Sequence, residues 1–114
     1  IISNYIDAIK INITNCKLKL KNICIYNVVP PVQKYNTTEN SNYPFLGSDE
    51  ERKNYVLYFN KCLKNKCIEN DWIFFDVYNN YNDNNGFLNK KYSDGHVHIK
   101  KIKYLNKFIN KFLL

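Results

Sequence analysis

Arginine is nearly missing from this basic chain: Arg52 stands alone beside 16 lysines in 114 residues of formal net charge +7. A surface selected to grip phosphate would be expected to use the planar guanidinium fork, which engages phosphate in a bidentate way. The lysines come with 20 asparagines and abundant Ile, Tyr and Phe, the residue set that an AT-rich genome encodes. Charge alone therefore argues for no nucleic-acid partner. Long apolar runs are lacking too. None reaches the ~18 residues a membrane span needs, and no signal peptide is visible, so the expected setting is off the membrane and intracellular, in the cytoplasm. Cys16, Cys24, Cys62 and Cys67 are too few and too uneven for a disulfide scaffold. They also lack the paired short spacings of a zinc site, so no metal or cofactor is expected. Cys16 and Cys62 on helical apolar positions, and Cys24 in an apolar run, read as buried thiols.

Serine is scarce, and this bears directly on chemistry. Ser3, Ser41, Ser48 and Ser93 are the whole supply, and no Gly-x-Ser-x-Gly elbow exists. Ser3 (or Asn4) and Ser48 read as helix caps, Ser41 falls in an irregular stretch, and Ser93 adjoins Asp94.

What is present is enough for one packed domain over residues 1–114. The chain is 45% hydrophobic and 16% aromatic, which excludes a disordered chain. Because it opens at Ile1 with a periodic pattern starting almost at once, it is expected to be the C-terminal portion of something longer. Tyr5, Ala8, Ile9, Ile13 and Cys16 recur at helical spacing over Ser3 to Cys16. Ile23 to Val29 is a continuous apolar, β-branched run closed by Pro30-Pro31, as expected of a strand covered on both faces. Residues Val32 to Gly47 have no periodicity and read as a long loop. Ser48-Asp-Glu-Glu51 is a capping box ahead of a helix with Val56, Phe59, Leu63 and Cys67 on one face. Trp72 to Tyr78 is a second buried strand, and Asn79 to Ser93 a polar loop. The calcium-like Asn82-Asp-Asn-Asn-Gly86 fails as an EF-hand, because the first and twelfth loop positions would be Tyr81 and Tyr92. Lys100 to Leu114 closes the chain as a helix with an Ile102, Leu105, Ile109, Phe112 stripe. Asp71 and Asp76 read as helix-boundary and strand-end carboxylates. This alternation predicts an α/β layer of parallel strands joined by crossover helices. Two strands make no stable sheet alone, so further strands are expected upstream or in a partner.

Chemistry concentrates in Tyr92-Ser-Asp-Gly-His-Val-His-Ile99, which holds both histidines of the chain within four residues of Asp94. A carboxylate at that spacing can fix an imidazole in the tautomer and orientation a general base needs. Two plainer readings share the same residues: solvent-exposed turn positions around Asp94-Gly95, or a metal site of Asp94, His96 and His98 on one side of an extended segment.

Phe75-Asp-Val-Tyr, then Asn85-Gly-Phe-Leu, then Ser93-Asp-Gly-His-Val-His-Ile99 before a terminal helix resembles the C-terminal region of SGNH (GDSL-type) hydrolases. Val28-Val-Pro-Pro31 resembles that family's proline-ended fourth strand, and Gly47-Ser-Asp-Glu-Glu-Arg52 with Phe59-Asn60 the helix after it. The resemblance implies the C-terminal part of a flavodoxin-like three-layer α/β/α domain. It also implies ester hydrolysis, often of acylated carbohydrate or lipid, with Asp94 orienting the base. His98 is the expected base, since Val97-His98-Ile99 matches the apolar-flanked histidine of the family motif. The family interval from Asp to His is three residues, whereas here it is two to His96 and four to His98, so His96 stays a candidate. Nothing matches the family's Gly-Asp-Ser nucleophile block or its Gly and Asn oxyanion donors. The chain alone is therefore expected to be inactive and to need the missing N-terminal part of its domain. A noncatalytic α/β module that binds a partner or glycan through Tyr- and Asn-rich loops is the alternative.

Overall fold

In the computed structural model, residues 1–16, 22–37, 44–100 and 102–112 are described. Helix α1 (Ile2–Asn15) leads to strand β1 (Cys24–Tyr26), a 3-10 turn (Lys34–Asn36) and the long helix α2 (Asp49–Glu69). Strand β2 (Ile73–Phe75), the single-turn α3 (Tyr78–Tyr81), a second 3-10 turn (Lys90–Tyr92) and helix α4 (Lys103–Phe112) complete the order. The strands pair in parallel, Cys24 against Ile73 through Tyr26 against Phe75, with α2 as the crossover. The class is mixed helix and strand, an α/β arrangement around a small two-stranded parallel sheet.

The apolar runs are continuous because both faces of the sheet are covered. Alternate residues of a strand point to opposite sides. Ile25 and Phe74 pack with Ile6, Leu63 and Cys67 of α1 and α2. Cys24, Tyr26 and Phe75 turn the other way, onto Val77, Tyr81, Leu88, Tyr92 and the Tyr104, Leu105, Phe108 face of α4. On that side Phe75 stacks on Phe108 at 4.0 Å between ring centroids. Tyr81 meets Tyr92 and Tyr104 edge-on at 5.3 and 5.1 Å.

Helix α2 begins as its sequence requires: Ser48 Oγ accepts from the Glu51 amide at 3.1 Å while Glu51 reaches back to the Ser48 amide. It ends with Asp71 at φ 56°, its amide and that of Trp72 donating to Ile68 and Cys67. This is a Schellman ending with aspartate in the left-handed position glycine usually takes.

Several expectations fail for identifiable reasons. Helix α1 starts two residues earlier than a Ser3 cap, and three earlier than an Asn4 cap, would allow; its cap is Ile1, without a side-chain bond. Its inward stripe is Ile2, Ile6, Ile9 and Ile13, whereas Tyr5, Ala8 and Cys16 are exposed. An Ile-rich helix offers two overlapping stripes, and only the partner surface selects one. Cys67 is buried and Cys24 and Cys62 are half-buried, but Cys16 is not a buried thiol. The stretch from Asn79 to Ser93 is no solvated loop, since Tyr81, Phe87, Leu88 and Tyr92 are buried. Ser41 lies outside the described residues.

Two buried asparagines fasten the end of the sheet. Asn60 of α2 accepts from the Val28 amide at 2.8 Å and donates to the Val28 carbonyl at 2.7 Å. Asn27 accepts from the Val77 amide at 3.2 Å, bridging the exits of both strands. Asn60→Ala takes the partner of the Val28 amide and one of the two donors to its carbonyl, the other being Asn27 Nδ2 at 2.9 Å, and should lower unfolding free energy by about 1 to 3 kcal/mol in urea titrations. Leu63→Ala, a cavity in the opposite core, should cost about 2 to 5 kcal/mol.

Candidate functional site

The loops after β1 and β2 leave the same end of the sheet and are tied together there. The Leu88 amide donates to the Pro31 carbonyl at 2.9 Å, and Thr37 Oγ1 donates to the Gly95 carbonyl at 3.3 Å. Ligands of open parallel sheets gather at this carboxyl end of the strands.

Asp94 stands in a tight hairpin loop at this end. Ser93 and Ile99 form an antiparallel bridge, the Asp94 amide donates to the His98 carbonyl at 3.0 Å, and Lys100 donates to the Tyr92 carbonyl at 2.8 Å. Gly95 takes φ 91°, a left-handed value that a side chain would strain. Inside the loop Asp94 Oδ1 accepts from the His96 amide at 2.8 Å and the His98 amide at 3.3 Å. These bonds, the His96 amide first, hold the carboxyl below the usual carboxylate range, with the His98 and His96 rings adding to the effect against partial desolvation.

Oδ2 is left for the imidazole. It lies 3.4 Å from His98 Nδ1, a contact of charge-pair length and longer than a formed N–H···O bond. The nitrogen facing the carboxylate is the one that should carry a proton if Nε2 is to act as base, and the His98 side chain is 78% exposed. The structure thus brings Asp94 and His98 side chains together, while His96 is exposed and contributes its main-chain amide to the loop. Because the segment is a turn, the alternation that a metal site of Asp94, His96 and His98 needs is not formed. Among the described residues no group of three or more His, Cys, Asp or Glu is placed to hold a metal.

The same hydrogen-bond pattern occurs eleven residues earlier, with its left-handed glycine, Gly86, third rather than first after the aspartate, a regularity the sequence reading missed. Asn82 bridges Leu88, Asp83 Oδ1 accepts from the Asn85 and Phe87 amides at 2.8 and 3.0 Å, and Asn89 donates to the Tyr81 carbonyl at 2.9 Å. The recurring Tyr-x-Asp of Tyr81-Asn-Asp83 and Tyr92-Ser-Asp94 is the signal that could have revealed it. The loops differ at the fourth residue after the aspartate. Phe87 goes into the core, whereas His98 stays out beside the carboxylate.

No described serine hydrogen-bonds His98. Ser93 Oγ accepts from the Gly95 amide at 3.0 Å, Ser48 caps α2, and Ser3 lies in the first turn of α1. Asp76 accepts from the Tyr78 amide at 3.0 Å, a strand-end role, and Asp71 terminates α2. Beside the Asp94 loop lies a groove of about 420 Å³ with Val32 and Leu88 in its wall and Asn36, Lys90, Ser93 and Lys100 around it.

Compared with known protein families, with characterised proteins and with solved structures, the chain matches none of them.

The lowered Asp94 carboxyl sets a pH dependence of definite sign. Its contribution to loop stability is present above the unfolded carboxylate value of about 3.9 and is lost as pH falls through the lower folded value. Hydrogen exchange at the His96 and His98 amides should therefore accelerate on acidification below that range, beyond the intrinsic change in exchange rate. In Asp94→Asn this acid-dependent step should be absent; the same step in both proteins would show that Asp94 does not hold the loop.

Proposed function

We propose that this chain is the acid–base part of an SGNH-type ester hydrolase, the C-terminal portion of a flavodoxin-like three-layer domain whose nucleophile comes from a missing N-terminal part. One observation carries the reading: an aspartate, its second oxygen free of the loop, faces His98 Nδ1 at the carboxyl end of a parallel sheet. His98 Nε2 would take the proton of the incoming serine as its oxygen attacks the ester carbonyl, Asp94 would stabilise the imidazolium, and the proton would pass to the departing alcohol. Water then releases the acid from the acyl-serine by the same path. The substrate is a carbohydrate or lipid ester.

The sheet supports such a completion. Ile73 donates to Ile23 and Asn27 donates to Phe75, so the main-chain groups of Ile23, Ile25 and Asn27 face β2. Those of Cys24 and Tyr26 turn to the opposite edge, where a further strand can pair. No helix among the described residues is long and apolar enough to cross a membrane. Four free cysteines suit a reducing, cytoplasmic setting.

A noncatalytic module binding a partner or glycan is the second reading, favoured by the Asp83 loop, where the same aspartate geometry serves the backbone beside a phenylalanine.

Turnover of p-nitrophenyl acetate by the chain expressed together with the serine-bearing segment separates the two readings. His98→Ala should reduce kcat/KM by about 100- to 10,000-fold, and His96→Ala should leave it nearly unchanged. Turnover indifferent to His98 would overturn the hydrolase reading in favour of the module.

A further inference from the structure

We propose that the groove beside Asp94 is a subsite for a hydroxylated anion, a sugar bearing a carboxylate or phosphate, held by Lys90, Lys100 and the Asn36 carboxamide. This deepens the hydrolase reading and rests on it for what becomes of the ligand. At about 420 Å³ the groove is of ligand-binding size, and buried Val32 and Leu88 give it an apolar wall.

Asn36 is the first indication. Its Oδ1 is sealed from solvent with no hydrogen-bond partner among the described residues. Buried polar atoms are nearly always paired, and an unpaired one marks a place where something is accommodated at a cost in stability. Its backbone is fixed, the amide donating to the Gln33 carbonyl at 3.0 Å, and the next residue is tied to Gly95. An amide that gives up no bond by turning can swing toward a ligand hydroxyl for the cost of a rotamer step.

Lysine placement is the second. Around the tyrosine cluster Lys91, Lys103 and Lys107 lie over the Tyr92 and Tyr104 rings. Lys53 and Lys66 are engaged by Glu50 and Glu69. Lys90 and Lys100 instead border the groove, without an ion pair among the described residues. Their positions are fixed by the 3-10 turn and by the Lys100 bond to Tyr92. Asp94 shares the rim, but two amides and His98 already engage its carboxylate, so the balance facing a ligand is positive.

The test is an amide-resolved NMR titration of the 114-residue chain with glucuronate and glucose 6-phosphate in parallel, against glucose and inorganic phosphate. At least one anionic sugar should give saturable shifts confined to Asn36, Ser93, Gly95, Lys100 and their neighbours, with glucose about tenfold weaker. The sugar that saturates first identifies carboxylate or phosphate as the anion. Lys90→Ala and Lys100→Ala should each raise Kd about five- to tenfold while Lys91→Ala leaves it unchanged. Asn36→Ala should weaken the sugar and not inorganic phosphate. Unsaturated shifts scattered over the lysines of α2 and α4, or equal losses in Lys91→Ala and Lys90→Ala, would overturn the subsite. His98-dependent ester turnover without groove binding removes the subsite alone. Groove binding without such turnover supports the subsite and overturns the hydrolase.

Discussion

The architecture hangs on how two strands of three residues each are held together at their exits. A ladder that short supplies few main-chain bonds, and two buried side-chain amides lengthen it. Asn60 treats Val28 much as a neighbouring strand would, taking its N–H and giving to its C=O. Asn27 takes the Val77 N–H across the sheet and gives its own Nδ2–H to the Val28 carbonyl. Because both groups are buried, each unmade bond would carry the full desolvation cost, so the clamp fixes direction as well as adding stability. Pro30-Pro31 then stops any further pairing of β1. The loops that carry Asp94, His98 and the groove leave the sheet from this point.

At the site, the loop and the imidazole draw on different oxygens of one carboxylate. Oδ1 closes the loop by accepting two amides, which orients Oδ2 outward along the path the His98 ring occupies. The Asp83 loop shows that the closure is a backbone device independent of any imidazole, since Phe87 replaces the ring there and goes into the core. Putting histidine at that position in the second loop, with its side chain left in solvent, converts a turn into a carboxylate–imidazole pair. The tyrosines two residues before each aspartate pack edge-on, and the Tyr92 and Tyr104 hydroxyls meet at 3.2 Å. The Asp94 loop is thereby seated on the same core as α4.

Much of this was legible in the residues. The capping box, the α2 stripe through Leu63 and Cys67, a strand within each apolar run, and the alternation that implies parallel pairing are local or periodic signals, and all are realised, although each strand takes only three residues of its run and Tyr78 opens a helical turn instead. The Asp94 motif was visible as composition: a carboxylate and two imidazoles in one short stretch. His98 was chosen as the base from its flanking residues; its ring lies 3.4 Å from the Asp94 carboxylate. The segment between Tyr78 and Tyr92 was not legible. Asparagine and aspartate there spend their side chains on the backbone, which lets Tyr81, Phe87 and Leu88 go inward from a stretch that reads as polar on average.

The sequence by itself determined which stretches become the long helices and the two strands, because caps, prolines and periodicity act within a few residues. Only the tertiary structure decided that Ile6 rather than Tyr5 faces the core, that Asn27 and Asn60 are structural, and that Asn36 and two lysines share a groove with Asp94. Those outcomes depend on which surfaces meet across the sheet. A choice between two stripes of one helix, or between a solvated and a buried amide, is settled by the partner surface, and no spacing along the chain encodes it.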